Sequence, residues 1–278
     1  MYSILISSVF FALTAYLFKT TDTASLPWAC FWGCLAFGVG MFAVGFVLRK
    51  KVQVVMTGMQ MLLQDGQKRM QAKINAFQNR PTGDPHRFLE QMQKDQSALL
   101  HEALAATDGL ERFRNWVPFF GRQINTTRMQ FRYQLKQFDK VDELLPKCLI
   151  VDPMSASMKL ARMYMKKESL ADMEKVFRKA TARTRYDQSA LLYGLMSWIY
   201  VREGKIDEAF KLLDKGCKDN SVVEGPASTL KRNHDLLANN RVKEFSNAGF
   251  GDAWYALFLE EPKVRYERRQ PNRFGRFG

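Results

Sequence analysis

A short phrase recurs three times in the second half of this 278-residue chain. The copies begin at Phe138, Leu170 and Ile206 and read FDKVDELLPKC, LADMEKVFRKA and IDEAFKLLDKG, so their spacings are 32 and 36 residues. Periods in this range are typical of arrays of helical hairpins, which bind other molecules along a concave surface and seldom carry chemistry. The repeat therefore predicts an α-solenoid and favours a binding protein over an enzyme.

The residues around the second and third copies resemble the tetratricopeptide repeat (TPR) family. Within 154–181 and 190–217, small residues stand where two antiparallel helices approach, and larger ones stand where neighbouring hairpins meet. The resemblance implies that the following residues pack the repeats: Leu160, Ala161, Tyr164, Leu170, Phe177, Ala180, Tyr193, Ser197, Tyr200, Gly204, Ala209, Leu213 and Gly216.

The predicted repeat domain spans residues 111–262. A fourth unit starts near Pro226 but breaks down at 249–251, so it predicts one helix only, and a helix over 252–259 is expected to close the open end. In the related proteins the first helices of the hairpins line the groove. No ligand position carries over, because no motif of the carboxylate-clamp type is present.

The first unit, 122–153, carries Arg128 and Arg132 where apolar side chains are expected. These arginines have two interpretations. With Lys159, Arg162 and Lys166 they form the wall of a basic groove, or each belongs to an ordinary solvated face.

Residues 1–48 are almost entirely apolar and predict a transmembrane helical hairpin. Its two runs, 2–18 and 26–48, contain no charged side chain. A bilayer offers no hydrogen-bond partner to the backbone, so an apolar segment that crosses it has to be helical. A signal peptide is the alternative for the first run, although that run lacks the basic start and clear cleavage site of such peptides. Small residues in the second run either allow close helix packing or reflect the usual composition of membrane helices: Gly33, Ala36, Gly40 and Gly45.

Basic residues predict how this hairpin is oriented. The segment between the runs holds only Lys19, whereas five basic residues follow the second run: Arg49, Lys50, Lys51, Lys68 and Arg69. The positive-inside rule therefore predicts an integral, two-pass protein with both termini in the cytoplasm. This architecture is similar to that of the bacterial two-span, repeat-bearing membrane proteins found beside haem biosynthesis, which implies the bacterial inner membrane.

Residues 49–110 predict a helical stalk. One helix runs to Asn79 and is ended by Pro81 and Gly83, and a second runs from Pro85 to about Ala106. Along the first, a heptad spacing relates Met56, Leu63, Met70 and Phe77. Such a seam favours a homo-oligomer through 56–77. The alternative is a helix that packs against the rest of the domain or lies just off the membrane.

An aromatic stretch follows the stalk at 113–122. Trp116, Phe119 and Phe120 either dip into the bilayer interface or cap a helical core. The sequence alone leaves both alternatives open.

The formal net charge of +14 favours anionic partners. It is concentrated in part in residues 263–278, a basic tail that is predicted to be disordered. This tail binds single-stranded nucleic acid or anionic lipid, or serves only solubility. The candidate contacts to a partner or to lipid are Arg49, Lys50, Lys51, Arg128, Arg132, Arg268, Arg269, Arg273 and Arg276.

No arrangement in the sequence suggests catalysis, a cofactor or a metal. The three histidines are scattered, and no phosphate-binding glycine loop or nucleophile elbow is present. Four cysteines, at 30, 34, 148 and 217, suit free, buried thiols in a reducing compartment. We therefore expect a non-enzymatic membrane scaffold that binds a protein partner through its solenoid. The alternative is a membrane tether for nucleic acid or anionic lipid.

Overall fold

The computed structural model describes residues 2–20, 26–79, 84–116, 118–184, 188–220 and 225–261. Helices account for all regular structure in these residues, with no strand among them, which confirms the predicted all-α class. The chain divides into two compact units, residues 1–150 and 151–278. The loop 21–25, Pro81, Gly83 and the tail 263–278, with its four candidate arginines, lie outside the described residues.

The described residues of the first unit form six α-helices and one 3-10 turn. They are α1 (Tyr2–Thr20), α2 (Leu26–Asn79), α3 (Pro85–Ala106), α4 (Asp108–Glu111), α5 (Phe120–Gln134), α6 (Phe138–Leu144) and a 3-10 turn at Leu145–Lys147. The second predicted span and the first stalk helix are therefore one continuous helix of 54 residues.

Helix α1 packs antiparallel to the first part of α2. Gly33 lies against Phe11, and Gly40, which is later in α2, lies against Ser7, which is earlier in α1. The two helices therefore run in opposite directions. A side chain at either glycine would meet α1, which explains why small residues stand there. Gly45, by contrast, has nothing within 4 Å of where a Cβ would lie, so it has no packing role in this chain.

Helix α2 contains a candidate membrane span near its N-terminus. It is long and apolar enough to cross a bilayer from Cys30 onwards, whereas the apolar part of α1, Tyr2–Leu17, is shorter than such a span. Signal sequences pass the same test of length and composition. Two-pass topology therefore stays a prediction.

The second half of α2 forms an antiparallel hairpin with α3. Asp84 caps α3 by accepting a hydrogen bond from the His86 backbone N–H at 3.0 Å. Gly66 admits the Leu99 side chain, and the rings of Phe77 and Phe88 stack with their centroids 4.2 Å apart.

All four positions of the heptad seam lie on this side of α2. Met56 and Leu63 join a cluster around Met59 and Leu100, and Met70 lies beside Leu99 in a small cleft. Together with the stacked Phe77, the seam thus packs within its own chain, as the second alternative for the stalk expected. Self-association through 56–77 stays a prediction.

The aromatic segment 112–116 holds the first turn of α1. The Tyr2 and Ser3 backbone N–H groups donate to the carbonyls of Asn115 (2.9 Å) and Trp116 (3.4 Å), and the Ser3 hydroxyl donates to Trp116 at 2.6 Å. These bonds satisfy donors that a helix leaves unpaired at its start. Phe113 is buried and Trp116 packs edge-on against Tyr2, so both contribute to packing, whereas Phe119 is exposed.

The second unit is built from helical hairpins. It contains α7 (Pro153–Met165), α8 (Leu170–Thr181), α9 (Ala190–Arg202), α10 (Ile206–Asp219) and α11 (Pro226–Ala238), then 3-10 turns at Val242–Glu244 and Ala248–Phe250, and α12 (Asp252–Tyr255). Helix α7 pairs with α8 and α9 pairs with α10, while α9 also contacts α7 and α11. The three recurring phrases each begin a helix, namely α6, α8 and α10. Between α11 and α12 the regular structure of the described chain consists of 3-10 turns only, and α12 is four residues long rather than the eight expected for 252–259.

Four helices in the chain end in the same turn. Lys136, Lys167, Gly204 and Asn240 have φ values of 56°, 55°, 75° and 55°. In each case this residue donates its N–H to the carbonyl three residues earlier, and the next residue donates to the carbonyl five residues earlier. This is the Schellman arrangement, in which a left-handed residue satisfies the last carbonyls of a helix. The turns recur after 31, 37 and 36 residues, so the repetition is present in the backbone as well as in the sequence.

These turns predict opposite effects of glycine and alanine. We expect Lys167→Gly to raise the free energy of unfolding by about 0.5–1 kcal/mol, because a left-handed backbone strains every residue except glycine. Gly204→Ala should lower it by about 1 kcal/mol for the same reason. Thermal unfolding of the full chain in detergent measures both. Lys166→Gly is the control: Lys166 has φ −82°, so glycine there should only destabilise.

Candidate interaction surfaces

Helix α9 is buried on almost every side. Nine of its thirteen residues, from Ala190 to Ile199, are buried. With 3.6 residues per turn, Tyr193 and Tyr200 share one side of the helix, and Gly194 and Trp198 share the other. The two sides are covered by different parts of the second unit.

The tyrosine side of α9 faces the second helices of the hairpins. The Tyr193 hydroxyl donates to Asp219 of α10, and the Tyr200 hydroxyl donates to Glu174 of α8 at 2.9 Å. Gly216 lies directly against the Tyr193 side chain, with no room for a larger residue without displacement. Burial, reinforced by these hydrogen bonds, raises the pKa of both tyrosines above the ordinary value of about 10.

The opposite side of α9 is covered by residues 245–260. The Glu260 carboxylate accepts hydrogen bonds from the indole N–H groups of Trp198 (2.9 Å) and Trp254 (3.1 Å). The two indoles meet edge to face, with centroids 5.6 Å apart. Buried Asn247 donates to the Gly194 carbonyl at 2.8 Å. The resemblance to tetratricopeptide repeats implied that the first helices line an open groove. At α9, residues 245–260 of the same chain fill that space.

The thirteen predicted packing residues are mostly inside the second unit. Gly204 lies in its turn and is exposed, and the other twelve are buried or half-buried. The buried ones are Leu160, Ala161, Phe177, Tyr193, Ser197, Ala209, Leu213 and Gly216. Tyr164 is half-buried and contacts Trp198 edge to face, at 5.1 Å between centroids.

The structure places Arg128 in an ionic cluster of the first unit. Its guanidinium donates to Glu111, to Asp108 at 2.6 Å and to the Thr107 hydroxyl at 2.9 Å. Only 17% of its side chain is exposed. A contact to a partner or to lipid would have to break these bonds. Arg132 is half-buried, and its Nε is buried without a hydrogen-bond partner among the described residues.

Three predicted contacts lie on the surface where the apolar part of α2 ends. Arg49, Lys50 and Lys51 are exposed, and no ion pair within the described part of the chain involves them. The Lys50 ammonium lies 4.7 Å from the centroid of the Phe46 ring, so its charge stays close to the apolar surface.

Among the described residues, thiols and histidines form no metal-binding group. All four cysteines are free; Cys30 and Cys34 are exposed on the apolar part of α2, and Cys148 and Cys217 are half-buried. Within the described ranges, no three His, Cys, Asp or Glu residues lie close enough to hold a metal ion.

Sequence reasoning missed Glu260, Asn247 and Gly66. The partners of Glu260 on α9 lie 58 and 62 residues away, and no periodic pattern announces a contact between such distant positions. In the sequence Gly66 interrupts a second apolar stripe beside the heptad seam, whereas in the structure it is the point where the Leu99 side chain packs against α2. The glycine inside a predicted helix was the sequence signal that another side chain, here Leu99, packs closely against the backbone of α2.

The raised tyrosine pKa values predict instability at alkaline pH. Above about pH 10 the unfolded chain loses its phenol protons while the folded chain keeps them. The free energy of unfolding therefore falls as the pH rises through this range. Below about pH 10 both states keep the protons, and the two tyrosines add no pH dependence. The variant Tyr193→Phe/Tyr200→Phe should show a flatter alkaline limb in a series of unfolding curves. At pH 7 we expect each change to cost about 1 kcal/mol, for the lost hydrogen bond. Glu174→Gln, which keeps the Tyr200 phenol, should flatten the limb only in part; an unchanged alkaline limb in the double variant would contradict the assignment.

No protein-family model matches this chain, and neither the curated proteins nor the solved structures contain a match to it.

Proposed function

We propose that this chain is a non-enzymatic adaptor, anchored in the bacterial inner membrane, whose tetratricopeptide-like repeats bind a protein partner and assemble a complex there. The observation that carries the proposal is the fourfold Schellman turn at 136, 167, 204 and 240. The same turn geometry, recurring at intervals of 31–37 residues, agrees with a repeated helical-hairpin unit.

The contacts within the second unit agree with stacked hairpins. Helix α9 touches both α7 and α11, so the first helices of successive hairpins are neighbours. Residues 245–260 cover one side of α9, so a partner would not reach it there. The exposed positions of α7 and α11, the first helices on either side of α9, are available to a partner. On α11 these include Lys231 and Arg232, which are exposed.

The apolar surface of the first unit supports membrane anchoring. Large apolar side chains on α1 and on the first half of α2 point outwards: Phe10 is 53% exposed and Phe42 is 74% exposed. Only 11% of the most apolar window of α2 is buried within the chain, so this helix is not serving as the core of a soluble unit. An apolar surface of this extent is suited to lipid. The five basic residues that follow it favour cytoplasmic termini.

A second candidate function is a membrane tether for anionic lipid or nucleic acid. Its support is the exposed group Arg49, Lys50 and Lys51, which is free of ion pairs within the described ranges and stands at the end of the apolar surface. Juxtamembrane basic groups of this kind attract anionic headgroups at roughly 1 kcal/mol per charge. The arginines of the tail would add to this attraction.

The two-pass arrangement predicts which positions face the cytoplasm. In a chain whose native cysteines are replaced by serine, we expect Asp22→Cys to react with a membrane-impermeant maleimide in intact bacterial spheroplasts. Lys231→Cys should react only after the membrane is disrupted. Equal labelling of both positions before disruption would contradict the topology.

The adaptor proposal predicts a partner that depends on the first-helix face. Full-length chain purified in mild detergent should retain a discrete protein in stoichiometric amount, with or without residues 263–278. The pair Lys231→Ala/Arg232→Ala should weaken its capture by roughly five- to tenfold, on the order of 1 kcal/mol for charges at an interface rim.

The matched control for this experiment is Lys211→Ala/Lys215→Ala, which removes the same charge from exposed positions of α10, a second helix. It should leave capture unchanged. If no protein is retained, and binding instead falls steeply with salt and requires the tail, the tether replaces the adaptor.

A further inference from the structure

An elongated groove runs along the outside of α1 and α2 in the first unit. Its volume is about 870 Å³, and twelve of its fifteen lining residues are apolar, the others being Thr14, Lys51 and Arg112. From Trp32 to Leu48 it follows α2 for about 24 Å, at a rise of 1.5 Å per residue. That length exceeds one leaflet of a bilayer core, which is about 15 Å deep. An extended acyl chain therefore fits along it.

Both basic side chains belong to one end of the groove. Lys51 lies on α2 one turn after Leu48. A Cβ built on Gly109 would lie 3.5 Å from Val55 Cγ1, one turn further along α2, so α4 and the segment that follows it lie close to this part of α2. Arg112 in that segment lines the groove together with Phe113 and Trp116. The remaining length, towards Trp32, has only apolar walls apart from Thr14.

The two charges at this end have no carboxylate partner within the described chain. The nearest acidic residues on α4 are already engaged, because Asp108 and Glu111 accept hydrogen bonds from Arg128, and Glu111 also pairs with Arg114 at 3.3 Å. The Arg112 guanidinium lies 4.8 Å from the centroid of the Phe113 ring, a contact that orients it without neutralising it. A phosphate would supply the missing negative charge.

The basic end of the groove is held in place by the chain. The hydrogen bonds from Tyr2 and Ser3 to the carbonyls of Asn115 and Trp116 fix the 112–116 segment against α1. Arg112 is thereby carried on a backbone that is positioned before any ligand arrives, which lowers the entropic cost of binding.

We propose that this groove binds one anionic phospholipid of the surrounding membrane, with an acyl chain along α2 and the phosphate between Lys51 and Arg112. This inference rests on the membrane anchoring proposed above. A transmembrane helix from another protein would fill the apolar length but would leave both cations without a counter-charge. A phospholipid satisfies both parts of the groove at once.

The test uses the full chain in lipid nanodiscs that contain phosphatidylcholine and a minor fraction of phosphatidylglycerol. After detergent extraction, mass spectrometry counts the lipids retained per chain. Wild type should retain one phosphatidylglycerol in preference to phosphatidylcholine. Each basic side chain is worth a factor of about five, so Lys51→Ala/Arg112→Ala should lower that preference roughly 25-fold. Ala43→Phe, which fills the groove without changing charge, should lower the retention of both lipids.

Two matched controls separate the groove from general surface effects. Lys94→Ala removes a charge from an exposed position of α3 that does not line the groove, and Gly38→Phe adds the same ring at an open position of α2. Both should behave like wild type. Equal retention of the two lipids by wild type overturns the lipid proposal while leaving the anchor intact. A chain that does not enter nanodiscs at all overturns both proposals.

Discussion

The first unit depends on the continuity of α2. In an apolar environment each backbone N–H and C=O needs a partner, and a single uninterrupted helix provides one for every group along its length except at its ends. Because α2 continues from the apolar region to Asn79, it offers one surface to α1 and another to α3. The open donors at the start of α1 are then satisfied by the carbonyls of the 112–116 turn. The same hydrogen bonds hold the irregular 112–116 segment in place against α1.

Patterns in the sequence predicted the repeated helices well, but they did not predict which segments pack over those helices. The phrases that start at Phe138, Leu170 and Ile206 begin helices because each is amphipathic and has one face to bury. Helix α9 is different, since it is apolar nearly all round and its sequence identifies no solvent face. What covers it, including Trp254 and Glu260, comes from a segment with no repeat pattern at all. A filled groove therefore could not be foreseen from the motif.

The candidate contacts illustrate the same limit for charged residues. Arg128 stands at a repeat position where apolar side chains are usual, and the sequence suggested a groove wall or a solvated face. Its partners, Asp108 and Glu111, lie 20 and 17 residues earlier, beyond any helical spacing. Arg49, Lys50 and Lys51 were easier to place, because a charged group beside an apolar run stays in contact with water unless it is paired.

The pairing of Arg128 also determines which cations remain available. Had Asp108 and Glu111 faced the groove, they would have neutralised Arg112 and left the apolar channel without an anion-binding end. By engaging both carboxylates, Arg128 leaves Arg112 and Lys51 to act on a ligand. A ligand in the groove would contact α1, α2 and the 112–116 turn together, so its binding would stabilise the first unit through mass action. On the proposal of a bound anionic lipid, the pairing of Arg128 therefore decides the charge that the lipid would have to carry.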